Sequence, residues 1–233
     1  MVTRIISAFF MLFLVIGVPI LSLSTARDLR LRQMTRLELY VSATISQWAL
    51  AGVGVIVFFL GSLSAFSVGF RKLAPASILT SAGALVALSV AGILLSFFLE
   101  RHGWWPEESE LTCLLIPRTR REKAWSLLLL APTAALSEEF LYRGLLLAQV
   151  SQWLRSGVLA CAVSSLAFGL AHVYQGWSGM VRASLVGALL AYPVIHFGSL
   201  YPSMLAHGLI DALALVWLGQ KFLTREQGLG VRD

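Results

Sequence analysis

Long apolar runs separated by short polar segments dominate the sequence. The runs are about 20 residues long, the length at which an α-helix crosses a hydrocarbon core of about 30 Å. Continuous runs favour helices over a β-barrel, whose strands would alternate with period two. The pattern predicts an all-α, polytopic transmembrane helix bundle of about seven spans, or eight if the tight break at G-S-L-Y-P holds a kinked or re-entrant piece. The predicted spans are 4–24, 38–62, 75–99, 124–150, 157–173, 178–197 and 199–219.

The polar linker 100–122 is the longest interruption of this pattern. It contains Trp104 and Trp105, whose indoles favour the headgroup level, so a short interfacial helix is expected there. No repeat of fixed period is visible, which disfavours an inverted-repeat transporter. No linker is long enough to separate a soluble domain. We divide the chain into N-terminal spans with the linker (1–123), a core (124–219) and a short basic tail (220–233).

Composition agrees with a membrane protein and argues against a nucleic-acid partner. The chain is 58% hydrophobic and 13% charged, whereas a soluble domain carries about a quarter charged residues. The net charge of +6 comes from basic residues clustered between apolar runs, as juxtamembrane charge does. The expected surroundings are therefore a lipid bilayer. Cys113 and Cys161 form no CxxC pair and are interpreted as free thiols.

The distribution of lysine and arginine predicts the topology, because short cytoplasmic loops carry the excess. If 25–37 is cytoplasmic, the linker and the C-terminal tail are cytoplasmic too, and the N-terminus is outside. The basic residues then left facing outward are Arg4, Arg71, Lys72 and Arg155. An alternative for the first span is a cleaved signal peptide with Ser-Thr-Ala at 24–26. Its apolar part is longer than the usual 7–15 residues of such a segment, about 20 in all.

The stretch A-L-S-E-E-F-L-Y-R-G-L, 135–145, places three ionisable groups inside an apolar span. Each such group costs at least about 2.5–3.5 kcal/mol on insertion scales and usually marks function. Glu139 and Arg143 are four residues apart, so they share a helix face and can pair. Glu138 is turned about 100° away and lacks that partner, so it is a candidate proton acceptor. The alternative is one ion-pair network that locks the bundle. Pro132 is expected to kink this helix.

Histidines in two later spans complete the polar set, and the first of them, His172, lies near a span end. Phe168 lies four residues before His172, and His207 lies four residues before Asp211, so each pair shares a helix face. A carboxylate that orients an imidazole is a recurring catalytic and metal-site arrangement. The alternatives are an interfacial hydrogen bond for His172 and a polar clasp between helices for His207. The remaining ionisable groups of the spans, without a partner in sequence, are Arg182 and His196.

These groups reach one site if three helices face each other. Two imidazoles and a carboxylate in a wet intramembrane pocket are suited to activating a water molecule, which indicates hydrolysis. The sequence has no GxSxG, no paired Cys–His and no HExxH zinc helix, so nothing marks a covalent nucleophile.

Three motifs in this order resemble the CPBP family, the CAAX-protease and bacteriocin-processing (Abi) intramembrane endopeptidases. They are E-E-x-x-x-R at 138–143, F-x-x-x-H at 168–172 and H-x-x-x-[N/D] at 207–211. The stretch S-L-Y-P-S-M-L-A-H-G, 199–208, is also similar to the family's approach to its third motif. The resemblance covers 124–218 and leaves the first three spans without a motif.

The resemblance implies a glutamate-dependent endopeptidase. By carry-over, Glu138 and His172 activate water, and Glu139, Arg143 and Phe168 support the site. His207 and Asp211 are then assigned to the oxyanion. An ionised Asp211 cannot donate a hydrogen bond to an oxyanion. Asp211 is therefore protonated, orients His207, or helps to bind a metal.

The family is often labelled metalloprotease, and Glu138, His172 and His207 could hold Zn²⁺ with one open position. We prefer metal-independent water activation and assign no cofactor. Since some relatives process prenylated C-termini and others bacterial peptides or sorting tails, the resemblance implies a membrane-tethered peptide or protein tail as substrate. The implied location is a bacterial inner membrane. The competing functions are a non-catalytic membrane scaffold or immunity protein and a small proton-coupled transporter.

Overall fold

A computed structural model describes residues 2–61, 63–106 and 109–219. The tail 220–233, with its predicted cytoplasmic position, lies outside the described residues. Within them the predicted all-α bundle is confirmed, and the only bridge between extended residues joins Phe70 and Ser199. The helices are α1 (Val2–Ala26), α2 (Arg36–Leu60), α3 (Pro75–Arg101), α4 (Glu110–Leu115), α5 (120–154), α6 (Gly157–Ala171), α7 (Gly176–Phe197) and α8 (201–218).

Four helical segments are long and apolar enough to cross a membrane, by length and composition: α1, α2, α3 and Val173–Phe197, which contains α7. Helix α6 is apolar but shorter. The predicted number of spans is therefore approximate. The break at G-S-L-Y-P is a short connection, since α7 ends at Phe197 and α8 begins at Tyr201.

Local sequence signals fix where the helices begin and end. Helices α2 and α5 each start with a capping box, in which Thr35 pairs with Glu38 and Thr119 with Glu122. Helix α3 starts at Pro75, which suits a first turn because its missing N–H needs no partner there. Helix α7 ends at Gly198 with φ +66°, a left-handed conformation that glycine adopts without strain.

Helix α5 is continuous but contains two wide π-helical segments. The first, Ser126–Leu130, lies directly before Pro132, and in it the Ala131 amide donates to the Ser126 carbonyl. The helix continues past Pro132 after this wider turn. The second segment, Glu139–Leu146, begins at the polar stretch. Such wide turns are rare and occur frequently at functional sites.

The second half of α5 lies at the centre of the bundle. Every residue from Glu139 to Val150 is buried, and the largest apolar cluster joins this stretch to α1, α2 and α6. Helix α8 packs against α3 and against the first half of α5. The core thus holds α5 in place on several sides, which fixes the positions of its polar groups.

Two connections at opposite ends of the bundle are tied to the helices. At one end the Leu200 amide donates to the Gly69 carbonyl at 2.7 Å. At the other end the linker after α3 is held by Trp105, whose Nε1 donates to Ser178 Oγ at 2.7 Å, and by the Ser109 amide, which donates to the Gln175 carbonyl at 3.1 Å. The short helix expected in the linker is α4.

Candidate active site

Glu139 is fully buried, and its carboxylate contacts both Arg143, a cation, and His207, which is a cation when protonated. Its Oε1 accepts a hydrogen bond from Arg143 Nη1 at 2.9 Å and another from His207 Nδ1 at 2.8 Å. The predicted pair with Arg143 is therefore present, and His207 joins it from α8. Because a carboxylate only accepts, His207 Nδ1 carries a hydrogen.

Arg143 is fully buried and lies against an aromatic ring. Its guanidinium carbon is 4.0 Å from the centroid of the Phe168 ring, a cation–π distance. Gly187 of α7 leaves the space that the guanidinium occupies, because a Cβ there would lie 2.9 Å from Arg143 Nη2. A buried arginine is tolerated only when it is paired, so Glu139 and Phe168 together hold this charge.

Glu138 has a different environment from its neighbour. Its Oε1 accepts a hydrogen bond from Gln47 Nε2 of α2 at 2.7 Å, and its Oε2 is 3.7 Å from His207 Nε2. Its side chain is 15% exposed, whereas that of Glu139 is completely buried. The helix itself supplies no basic partner for Glu138, as predicted, but α2 supplies a neutral donor.

Sequence reasoning missed Gln47. The available signal was a polar amide within an otherwise apolar span. Its neighbour Trp48 also reaches α5, where its indole donates to Thr133 Oγ1 at 3.1 Å. The first three spans had been left without a motif, and one of them in fact contacts the candidate base.

His207 and Asp211 lie beside each other on α8, as their spacing predicted. His207 Nε2 is 3.5 Å from Asp211 Oδ2, and the Asp211 side chain is 29% exposed. With Glu139 at Nδ1, both nitrogens of His207 face carboxylates. This geometry agrees with the alternative in which Asp211 orients His207.

His172 follows the last residue of α6. Its Nδ1 is 2.8 Å from the Phe168 carbonyl, which can only accept, so Nδ1 donates and Nε2 keeps a lone pair. Its ring centroid is 4.5 Å from that of Phe168, and the His207 ring is 5.9 Å from the same ring. The Phe168 ring thus packs against both imidazole rings and against the Arg143 guanidinium.

The structure brings all seven predicted residues into one polar cluster. Among the described residues, no hydrogen bond or ion pair joins His172 directly to Glu138. Two other ionisable groups of the spans lie outside the cluster. Arg182 Nη1 is 3.4 Å from Ser96 Oγ, and His196 packs against Tyr192.

The possible zinc ligands do not fit a metal site in this arrangement. Within the described residues, no group of three or more His, Cys, Asp and Glu side chains is placed to hold a metal ion. The Nδ1 atoms of both histidines donate to oxygen atoms, so Nε2 is the only possible ligand atom on each ring, and His207 Nε2 faces two carboxylates. We therefore derive no step that involves a metal.

Comparison with known proteins supports the motif assignment. Residues 120–213 match the family model described as Type II CAAX prenyl endopeptidase Rce1-like. This segment is thus similar to the CAAX-protease family. The match runs from the start of α5 into α8 and contains every predicted site residue, whereas Gln47 lies before it. None of the curated proteins and none of the solved structures gives a match.

The matched family and the apolar helices together indicate a membrane-embedded peptidase. The matching family indicates a hydrolase that cleaves peptide bonds, and the long apolar helices indicate an integral membrane protein. The polar cluster lies within the bundle at the end of α6, where that helix is followed by the turn that the linker contacts.

Proposed function

We propose that this protein is an intramembrane glutamate-dependent endopeptidase that cleaves a membrane-tethered peptide or protein tail. The observation that carries the proposal is the contrast between the two adjacent glutamates. Glu139 is fully buried and bonded to Arg143 and His207, while Glu138 is partly exposed and bonded only to a neutral amide. One carboxylate supports the site and the other is available for proton transfer.

In the proposed reaction, Glu138 accepts a proton from a water molecule that His172 Nε2 helps to hold. The resulting hydroxide attacks the scissile carbonyl, and the carbonyl oxygen takes the negative charge. Glu138 then gives its proton to the nitrogen of the leaving amine as the peptide bond breaks. The proton balance is closed without any covalent intermediate on the protein.

His207 is proposed to stabilise the oxyanion through Nε2–H. Since Nδ1–H already donates to Glu139, this role requires a proton on both nitrogens of His207. The surrounding carboxylates of Glu138, Glu139 and Asp211 supply the counter charge. Asp211 is then an orienting group, not itself a donor to the oxyanion.

Gln47 is proposed as a positioning residue for Glu138. Its amide fixes Oε1 and leaves Oε2 to face the water and His207. A general base must lie within hydrogen-bond reach of the proton it removes, so holding one carboxylate oxygen increases the fraction of time the other is correctly placed. The segment 1–123 therefore contributes to the catalytic core that we assign to 124–219.

Substrate access is proposed from the side of the linker. Helix α6 ends at the site, and the following turn is hydrogen-bonded to the linker through Gln175 and Ser109. The basic residues of the linker favour the cytoplasmic side. A cytoplasmic C-terminus and a bacterial inner membrane are part of the same proposal.

The test compares new protein termini in native-host membranes that carry either the wild type or Glu138→Gln. The expected result is a set of termini present only with the wild type, which identifies the substrates and the cleavage position. Glu139→Gln is unsuitable as a control, because it disturbs Arg143. A matched control is Glu122→Gln, which changes a carboxylate of the linker-side capping box outside the cluster.

Identical terminus maps with folded, abundant Glu138→Gln protein would contradict the proposal. Full biological function of that variant would then favour the scaffold or immunity alternative. Ion or solute flux in proteoliposomes that tolerates conservative changes at His172 would favour the transporter alternative.

A further inference from the structure

A polar cleft lies between the start of α1 and the end of α5, away from the catalytic cluster. Its volume is about 230 Å³. The lining residues come from these two helices and are Thr3, Arg4, Ser7, Gln149, Gln152 and Trp153. Gln149 is 11 residues beyond Glu138 on the same helix, roughly 15 Å along its axis. The cleft is therefore separate from the proposed active site.

The chemistry of the lining suits an anion that also carries neutral oxygen atoms. Arg4 is the only lining residue with a full charge, and no carboxylate lines the cleft. The lining otherwise offers hydroxyl and amide groups, which can bond neutral ligand oxygens. The first amides of α1 are unsatisfied at its N-terminus and add to the positive potential there.

Gln149 presents a mostly buried polar side chain to the cleft. It is only 6% exposed and lines the cleft, yet its amide makes no hydrogen bond to any residue that the structure describes. Its amide atoms are open to the cleft, where a ligand can form hydrogen bonds with them. An oxygen-rich ligand in the cleft would satisfy it.

The position of the cleft indicates where the ligand comes from. It lies where α1, a helix long and apolar enough to cross a membrane, begins, which corresponds to the level of the lipid headgroups. Trp153 is 51% exposed at its rim, and indoles favour this level. Below the rim, α1 exposes a continuous apolar face towards lipid, formed by Ile5, Phe9, Leu12 and Ile16. A headgroup in the cleft would leave its acyl chains along this face.

We propose that the cleft binds the headgroup of an anionic glycerophospholipid. Arg4 pairs with the phosphate, and Gln149 bonds the glycerol or ester oxygens. Because α1 also packs on α5 through buried Phe10, Met11 and Leu14, the bound lipid joins the two helices at their outer ends. The lipid composition of that leaflet then affects the stability of the bundle.

The test measures lipid binding by native mass spectrometry of the purified full chain. The probes are phosphatidylglycerol, phosphatidylcholine and inorganic phosphate. We expect the wild type to prefer phosphatidylglycerol. Arg4→Gln should weaken its binding about fivefold, the factor expected for one basic residue at anionic lipid. Gln149→Leu should weaken its binding to a similar extent, because one hydrogen bond to the lipid is lost. Circular dichroism checks that each variant is folded. Arg4 is exposed, so Arg4→Gln still tests the proposal if Gln149→Leu does not fold.

The matched control is Arg71→Gln, an exposed arginine in the connection between α2 and α3. It should leave phosphatidylglycerol binding unchanged. Equal losses for Arg71→Gln and Arg4→Gln would show unspecific surface charge and overturn the proposal. Unchanged binding in Arg4→Gln would do the same. Displacement of the lipid by inorganic phosphate at similar concentration would show a simple anion site and overturn the assignment to a lipid.

Discussion

Gln47 of α2 donates a hydrogen bond of 2.7 Å to Glu138 of α5, across 91 positions of sequence. The donor is neutral, so it fixes the carboxylate without neutralising it. Its own Oε1 is buried and has no hydrogen-bond partner among the described residues. Burying an amide oxygen without a partner costs free energy, and the hydrogen bond to Glu138 is the best explanation for this amide.

Replacing Gln47 by Met should reduce turnover and leave substrate binding largely unchanged. The variant keeps the length of the side chain but loses the donor, and a hydrogen bond to a charged group contributes about 1.5–3 kcal/mol. We expect kcat to fall about tenfold or more, KM to change little, and the pH–rate profile to move, measured on a substrate identified by terminus mapping.

The matched control for Gln47→Met is Ser46→Ala, next to it on the exposed side of α2, where the hydroxyl bonds only to the preceding turn. A loss of thermal stability in Gln47→Met with an unchanged pH–rate profile would show a merely structural role.

Glu138→Gln should abolish activity with little effect on folding. The amide is isosteric and can still meet Gln47 after rotation, but it cannot take a proton from water. General-base catalysis contributes about 10²–10⁴-fold, so cleavage should fall by at least the lower value. Wild-type rates in a folded Glu138→Gln protein would remove Glu138 from the mechanism.

Glu139→Gln should instead destabilise the protein. It leaves the buried Arg143 charge without its carboxylate, and breaking a buried ion pair costs about 3–5 kcal/mol. The measurement is reversible unfolding in mixed micelles, with Glu138→Gln as the matched variant. Equal stability of the two variants would contradict the division of roles between these neighbours.

Gly187→Ala should displace Arg143. The new Cβ would lie 2.9 Å from Nη2, and overpacking of this kind costs about 1–3 kcal/mol. The control is Gly83→Ala in α3, where a Cβ meets no atom within 4 Å. That change should be neutral or slightly stabilising, because alanine is the better helix former. Thermal unfolding of both variants distinguishes the two outcomes.

Thorough chelation should leave cleavage unchanged. Among the residues that the structure describes, no group of three or more His, Cys, Asp and Glu side chains is placed to hold a metal ion. The measurement is the rate of a wild-type-dependent cleavage before and after chelator treatment and dialysis. Complete loss of cleavage that added Zn²⁺ restores would show that Glu138, His172 and His207 hold a metal.

The sequence by itself determined the relations that depend on helical periodicity. Glu139 with Arg143, Phe168 with His172 and His207 with Asp211 share faces because helical neighbours three or four residues apart lie side by side. The all-helical fold followed from the length of the apolar runs, and the family from three motifs in order. These features depend on local spacing or on composition. They can therefore be predicted without knowing how the helices pack.

Only the tertiary structure decided which faces meet. Gln47 contacts Glu138, and His207 contacts Glu139. The Phe168 ring packs against the Arg143 guanidinium, and Gly187 leaves room for that guanidinium. Each of these contacts joins different helices. In an apolar bundle, the order and rotation of helices depend on packing that hydropathy does not encode. For that reason the sequence located the candidate catalytic groups on their helices but could not reveal the neutral amide that contacts the candidate base.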